Sequence, residues 1–102
     1  MFNFKEKVVL ITGASYGLGE QFAYSFAEAG ADLILTARSE ELLESVGSAC
    51  RDKGSKVTVA TGDVSEEEDV RRVVEQGIAE HGKIDVLINN AGIADMRGLA
   101  PE

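Results

Sequence analysis

The stretch Thr12–Gly19, TGASYGLG, stands directly behind the apolar run Val8-Val9-Leu10-Ile11. Its glycines, Gly13, Gly17 and Gly19, fall where a strand should hand over to a helix. Two physical demands meet at such a place. The chain must turn sharply, and if a phosphate rests on the helix N-terminus the backbone must approach it with no Cβ in the way. The orphan N–H groups and the positive end of the helix dipole then hold the anion. The spacing is G-x-x-x-G-x-G rather than the dinucleotide fingerprint G-x-G-x-x-G. Taken alone, it fits a tight turn without a ligand as well as a phosphate cradle.

Outward from this turn, apolar runs and helical patterns alternate. Strand one is expected over Lys7–Thr12. A helix follows from about Gly17, with Leu18, Phe22, Phe26 and Ala29 on its inward face and Gly30 ending it. Strand two spans Asp32–Thr36. The second helix starts near Ser39, buries Leu42, Val46 and Ala49, and closes at Lys53-Gly54. Strand three is Lys56–Thr61. Ser65 is expected to cap the third helix, with Glu68 completing a capping box. Val70, Val73, Val74, Gly77 and Ile78 form that helix's buried face, and Gly82 ends it. Strand four is Ile84–Asn89. Cys50 and the Phe22/Phe26 pair read as core, and His81 as a helix-end imidazole suited to the dipole.

Four strands joined by three helices predict an α/β fold with a parallel sheet and right-handed crossovers. Strand three alternates apolar and polar residues, as an edge strand does. Strands one, two and four are more continuously apolar and are expected to be covered on both faces. The pattern predicts a Rossmann-type doubly wound sheet of order 3-2-1-4, the first part of a six-stranded fold. Residues 1–102 read as a single nucleotide-binding domain, expected to stop before a catalytic and substrate-binding region. The outer edge of strand four would then lack a partner, which predicts self-association of the isolated chain.

The composition is that of a soluble globular chain, 44% hydrophobic and 27% charged. With 10 Lys+Arg against 18 Asp+Glu the net charge is −8, which disfavours nucleic acid and anionic membranes as partners. Cys50 is the one cysteine of the chain, so no intrachain disulfide forms, in keeping with a cytoplasmic protein. The N-terminal stretch MFNFKEKVVLITG has no apolar run of signal-peptide or membrane-span length. No metal ligand set is legible.

A second stretch, DVLINNAG (Asp85–Gly92), ends strand four. In a 3-2-1-4 sheet, strands one and four are neighbours whose loops diverge, a topological switch point where ligands bind. The glycine turn and Asn89–Gly92 therefore flank one crevice. With Asp63-Val64 after strand three, these motifs resemble the short-chain dehydrogenase/reductase family over about Lys5–Gly92. The resemblance implies an NAD(P) cofactor. Gly13, Ser15, Tyr16, Gly17, Leu18 and Gly19 would surround the pyrophosphate and adenosine ribose. Asp63 and Val64 would contact the adenine, the carboxylate accepting from its exocyclic amine. Asn90, Ala91 and Gly92 would line the ribose side. Asn89 and Asn90 also suit backbone groups at a strand end, and Asp63 suits the approach to a helix N-terminus.

The end of strand two reads Thr36-Ala37-Arg38, without the acid that would grip the ribose 2′-hydroxyl of NAD. Arg38 offers a planar fork to a 2′-phosphate, so NADP(H) is the expected cofactor, with NAD the other possibility. Tyr16 occupies a position that is often basic in NADP-preferring members and supplies no charge. Family members transfer hydride with a Ser, a Tyr and a Lys, the last two as Y-x-x-x-K. Four residues after Tyr16 and Tyr24 stand Glu20 and Glu28, so no catalytic residue is assigned within the chain and none of its residues identifies a substrate. The resemblance implies carbonyl reduction or alcohol oxidation by a protein that is homo-oligomeric at full length. A nucleotide-binding or interaction module without catalysis is the other reading.

Overall fold

Buried at every position, the apolar run behind the glycine turn forms β1 (Val8–Thr12) at the centre of the sheet. The structure is a computed structural model and describes residues 3–90. After β1 come α1 (Gly17–Glu28), β2 (Asp32–Ala37), α2 (Glu40–Asp52), β3 (Val57–Thr61), α3 (Glu67–His81) and β4 (Val86–Asn89). All strand pairs are parallel, in the order β3-β2-β1-β4. The sheet is thus the doubly wound arrangement that the alternation predicts.

Helix ends follow the glycines. After α1 the Gly30 N–H donates to Ala27 O and the Ala31 N–H to Phe26 O. After α2 the Gly54 and Ser55 N–H groups repeat this with Arg51 O and Cys50 O. Both are Schellman turns, and both glycines have positive φ, where a side chain would be strained.

β4 begins at Val86, later than the apolar pattern suggests, because Asp85 replaces a strand residue with its side chain. Its N–H donates to Val8 O, and its carboxylate accepts from the Val8 N–H at 2.8 Å and from Lys83 at 3.1 Å. The Val8 N–H, with Lys83 adding, holds the Asp85 carboxyl below the usual carboxylate range.

One face of the sheet carries α1 and α2 over Val9, Ile11, Leu33 and Leu35; the other carries α3 over Val8, Leu10, Ile34 and Ala60. The inward stripes differ from the expected ones. In α1 the buried residues are Gly19, Ala23 and Ala27, while Phe22 and Phe26 are half-buried flanks and Leu18 is exposed. Small residues face the strands because they let the helix axis sit close to the sheet. In α2 the stripe is Leu43, Val46, Gly47 and Cys50. Leu42 is exposed and Ala49 half-buried, since Gly47, whose Cβ would meet Val59 Cγ2 at 2.6 Å, sets the contact line. In α3 only Val73 and Gly77 are buried. Val70 and Ile78 are exposed, as is Leu87 of β4, so among the described residues β4 is not covered on both faces, the cover expected of it in the six-stranded fold. Helix α3 lies over β3 and β2, with Gly77 against Ile34, and leaves the β4 side of that face open.

β3 is the edge strand that its alternation suggests, and two of its outward carbonyls are covered. Val57 O accepts from Arg51 of α2 and Thr61 O from Arg72 of α3. Cys50 is fully buried, and burial pushes its thiol up to about 11, so it stays a neutral core residue.

His81 does not act as a helix-end cation. Thr58 donates its hydroxyl to the Glu80 carboxylate and accepts from His81 Nε2 at 2.9 Å. That leaves Nδ1 buried and without a hydrogen-bond partner among the described residues. Burial pushes the imidazole below its ordinary value, Lys56 adds to this, and Asp32 and Glu80 oppose it. A base whose folded pKa is depressed takes up its proton more readily when unfolded, so the fold loses stability as pH falls below about 6.5, the free imidazole value. Urea midpoints measured from pH 8 to 5 are expected to drop below pH 6.5 in the parent chain and to drop less in His81→Gln. An identical pH profile in the two would show that this imidazole does not contribute.

Candidate functional site

The turn after β1 is tied at both ends. The Ala14 N–H continues the ladder to Thr36 O, and Gly13 and Gly17 both take φ of +61°. Tyr16 is extended and precedes α1 without any side-chain cap. The first-turn N–H groups of α1 therefore have no capping side chain and point out of the carboxyl end of the sheet, which is the donor set that an anion requires. A Cβ on Gly17 would meet nothing within 4 Å, whereas a Cβ on Gly19 would lie 2.0 Å from Gly13 O and 2.9 Å from Asn90 Nδ2. Gly17 serves the turn and the open approach to it; Gly19 serves close packing.

The end of β4 is joined to this turn. Asn90 Nδ2 donates to Gly13 O at 3.1 Å, and Thr12, whose register partner is Asn89, donates its hydroxyl to Asn89 Oδ1 at 3.2 Å. The glycine turn and the asparagine pair, 77 positions apart for Gly13 and Asn90, thus form one rim.

Beside it, on the α3 face, lies a cavity of about 340 Å³, lined along the carboxyl edge by Thr36, Thr12 and Asn89 and on its outer side by Asp63, Val64 and Val70. The Thr36 hydroxyl is buried and has no hydrogen-bond partner among the described residues. An unsatisfied buried hydroxyl is costly unless water or a ligand meets it. Asp63 is half-buried. Its Oδ1 accepts from the Ser65 hydroxyl at 2.7 Å and the Ser65 N–H at 2.9 Å, and these bonds, with Arg38 adding at longer range, hold it below the usual carboxylate range.

Ser65 therefore does not cap α3, and the expected capping box with Glu68 is absent. The helix starts at Glu67 after Glu66, with no side-chain cap. The Ser65 hydroxyl is committed to Asp63, and Asp69 reaches back to the Asp63 N–H instead.

Of the sequence-derived site residues, Gly13, Gly19 and Asn90 are in direct contact. Asp63 and Val64 share the cavity, Ser15 is buried, and Tyr16, Gly17 and Leu18 are exposed at the start of α1. Arg38 is exposed at the end of β2 and makes no hydrogen bond or ion pair among the described residues. Tyr16, Gly17, Leu18 and Arg38 do not line the cavity. Ala91 and Gly92 lie outside the described residues. Thr12, Thr36 and Asp69 were not singled out by the sequence. Thr12 and Thr36 are register partners, a relation legible only once the strands are paired. Among the described residues there is no group of His, Cys, Asp and Glu able to hold a metal, and no helix is long and apolar enough to cross a membrane.

Comparison with known proteins follows the same lines. The short chain dehydrogenase family pattern matches residues 7–101. The chain is 52% identical over 88 residues to 11-beta-hydroxysteroid dehydrogenase A of Sesamum indicum, covering 85% of this chain and 25% of that protein. It is 49% identical over 92 residues to 11-beta-hydroxysteroid dehydrogenase-like 4A of Arabidopsis thaliana, covering 89% and 31% respectively. Among solved structures, L-sorbose reductase from Gluconobacter frateurii, complexed with NADPH and L-sorbose, superposes with a TM-score of 0.84 at 36% identity, over 87% of this chain and 34% of that one. A short-chain type dehydrogenase/reductase from Mycobacterium marinum gives 0.81 at 36% identity, over 84% and 35%. The chain thus spans about a quarter to a third of the length of these proteins.

The packing at Gly19 makes a direct prediction. Gly19→Ala is expected to destabilise the fold by about 2–3 kcal/mol, the upper part of the range for overpacking against backbone, and to break the Asn90–Gly13 bond. Gly17→Ala, with open space around it, should cost only about 1 kcal/mol for its left-handed backbone. Denaturant unfolding of both variants checks the order; equal losses would refute the packing assignment.

Proposed function

This chain belongs to the short-chain dehydrogenase family, and we propose that it supplies the NADP(H)-binding half of an oxidoreductase that reduces a carbonyl or oxidises an alcohol. The observation that carries the cofactor preference is Arg38. Arg38 is exposed at the carboxyl end of β2 without an ion pair among the described residues, and follows Ala37, where no acid stands in sequence to grip a ribose 2′-hydroxyl. A free arginine there suits a 2′-phosphate. The uncapped first turn of α1 would hold the pyrophosphate, and Asp63 and Val64 would meet the adenine. Asn90 would brace the ribose side through the Gly13 carbonyl. When bound, the nicotinamide would supply or accept the hydride. The likeness to a reductase whose structure contains NADPH supports this reading, and relatives named hydroxysteroid dehydrogenases support an alcohol–carbonyl substrate pair.

We place the proton-transfer residues outside residues 1–102. Tyr24 donates its hydroxyl to Glu20 at 2.6 Å, and this bond, with burial, pushes the phenol up to about 12, the opposite of what an acid/base tyrosine needs. The reading extends to a cytoplasmic homo-oligomer, the first part in line with a free, buried Cys50.

Titration of the protein with both cofactors tests the assignment. A charge-assisted hydrogen bond contributes about 1.5–3 kcal/mol, so Arg38→Ala should weaken NADPH binding about ten- to a hundredfold and leave NADH nearly unchanged. Equal losses for the two cofactors would sink it.

A further inference from the structure

We propose that Asp69, in the first turn of α3, is a positioning residue for adenine recognition: it fixes the Asp63 backbone so that a single carboxylate oxygen, Asp63 Oδ2, remains to accept the adenine amine. The proposal rests on the dinucleotide reading above. The Asp63 N–H donates to Asp69 Oδ2 at 2.9 Å, Asp63 O accepts from the Glu66 N–H at 2.9 Å, and Asp63 Oδ1 is held by both Ser65 donors. Every polar atom of Asp63 but Oδ2 is thus committed within the protein.

The flanking residues are fixed in the same way. The Gly62 N–H donates to Ala37 O, and Arg72 donates to Thr61 O at 2.9 Å while lying 3.4 Å from Asp69 Oδ1. Asp69 therefore links the end of β3 to α3 through one carboxylate, with one oxygen on Arg72 and the other on the Asp63 backbone. A residue held at three points loses little further freedom when a ligand meets the fourth, which is how preorganisation raises affinity. Asp63 and Asp69 both line the cavity, and so does Thr36, whose buried hydroxyl has no hydrogen-bond partner among the described residues and could meet a polar group there.

The test uses a readout that general destabilisation does not move. NADPH carries the exocyclic amine; its hypoxanthine analogue has a carbonyl oxygen in that place and would face the carboxylate acceptor to acceptor. The parent protein is expected to bind NADPH about tenfold more tightly than the analogue, the effect of one charge-assisted hydrogen bond. Asp69→Ala should reduce that ratio to about threefold or less, as should Asp69→Glu, which keeps the charge and the helix start but misplaces the acceptor. Asp69→Asn, whose amide oxygen can still accept from the Asp63 N–H, should retain most of the ratio. Asp69→Ala or Asp69→Glu binding both ligands more weakly by the same factor would overturn the proposal and leave Asp69 a purely structural residue. A parent protein that does not distinguish the two ligands would overturn it as well, while the Arg38 comparison would still stand or fall by itself.

Discussion

The carbonyl oxygen of Gly13 accepts the Asn90 amide in a space that exists because Gly19 has no side chain. A single methyl group at Gly19 would collide with the turn and with the asparagine together. This contact decides how closely α1 approaches the end of β1 and holds the end of β4 against the same turn. The uncapped helix start, the positive-φ glycines and the polar rim all take their positions from it. The glycines thus have different duties: Gly13 and Gly17 permit the backbone path, and Gly19 permits the packing.

Behind this rim, the sheet divides its labour between its faces. The α1/α2 face is closed by small residues, Ala23, Ala27 and Gly47, that bring helices down onto Val9, Ile11, Leu33 and Leu35. The α3 face is closed over β3, β2 and β1 but open at Leu87 of β4, and its carboxyl end carries the row Thr36, Thr12, Asn89 beside the cavity. Thr12 and Asn89 bond each other in this row, while the buried Thr36 hydroxyl has no partner among the described residues, and a buried hydroxyl left unpaired is costly. Its placement at the switch point, where a ligand can satisfy it, is the arrangement that open α/β sheets favour.

Charge at the site is likewise arranged by hydrogen bonds, the Ser65 hydroxyl first, rather than by ion pairs. Asp63 is kept ionised by the Ser65 donors before any cation contributes, and Arg38 is left without a close counterion. The acidic run Glu66–Asp69 suits the dipole of α3, yet within it Asp69 has a separate task that composition does not reveal, because reaching the Asp63 N–H depends on the loop folding back over the helix start.

Element order, parallel pairing, the edge position of β3 and the glycine-ended helices were legible in the sequence, because apolar period, glycine placement and crossover length are local or combinatorial properties. So was the convergence of TGASYGLG with Asn90, since a 3-2-1-4 order brings the ends of β1 and β4 together. The helix faces were legible only in part. Val46, Val73 and Gly77 lie on the buried lines as expected, but Leu18, Leu42, Val70 and Ile78, apolar at helical spacing, stand exposed, while Gly19 and Gly47 take buried places. Hydrophobic period locates a stripe to within about one residue, whereas the contact line is set by which side chains are small enough to let the helix approach the strands. The bond from Ser65 to Asp63, the neutral His81 and the reach of Asp69 were likewise hidden, because each depends on which of several nearby donors and acceptors a folded chain brings within 3 Å. The local code therefore determined the path of the chain, and tertiary packing alone decided which polar atoms were spent on the fold and which were left for a ligand.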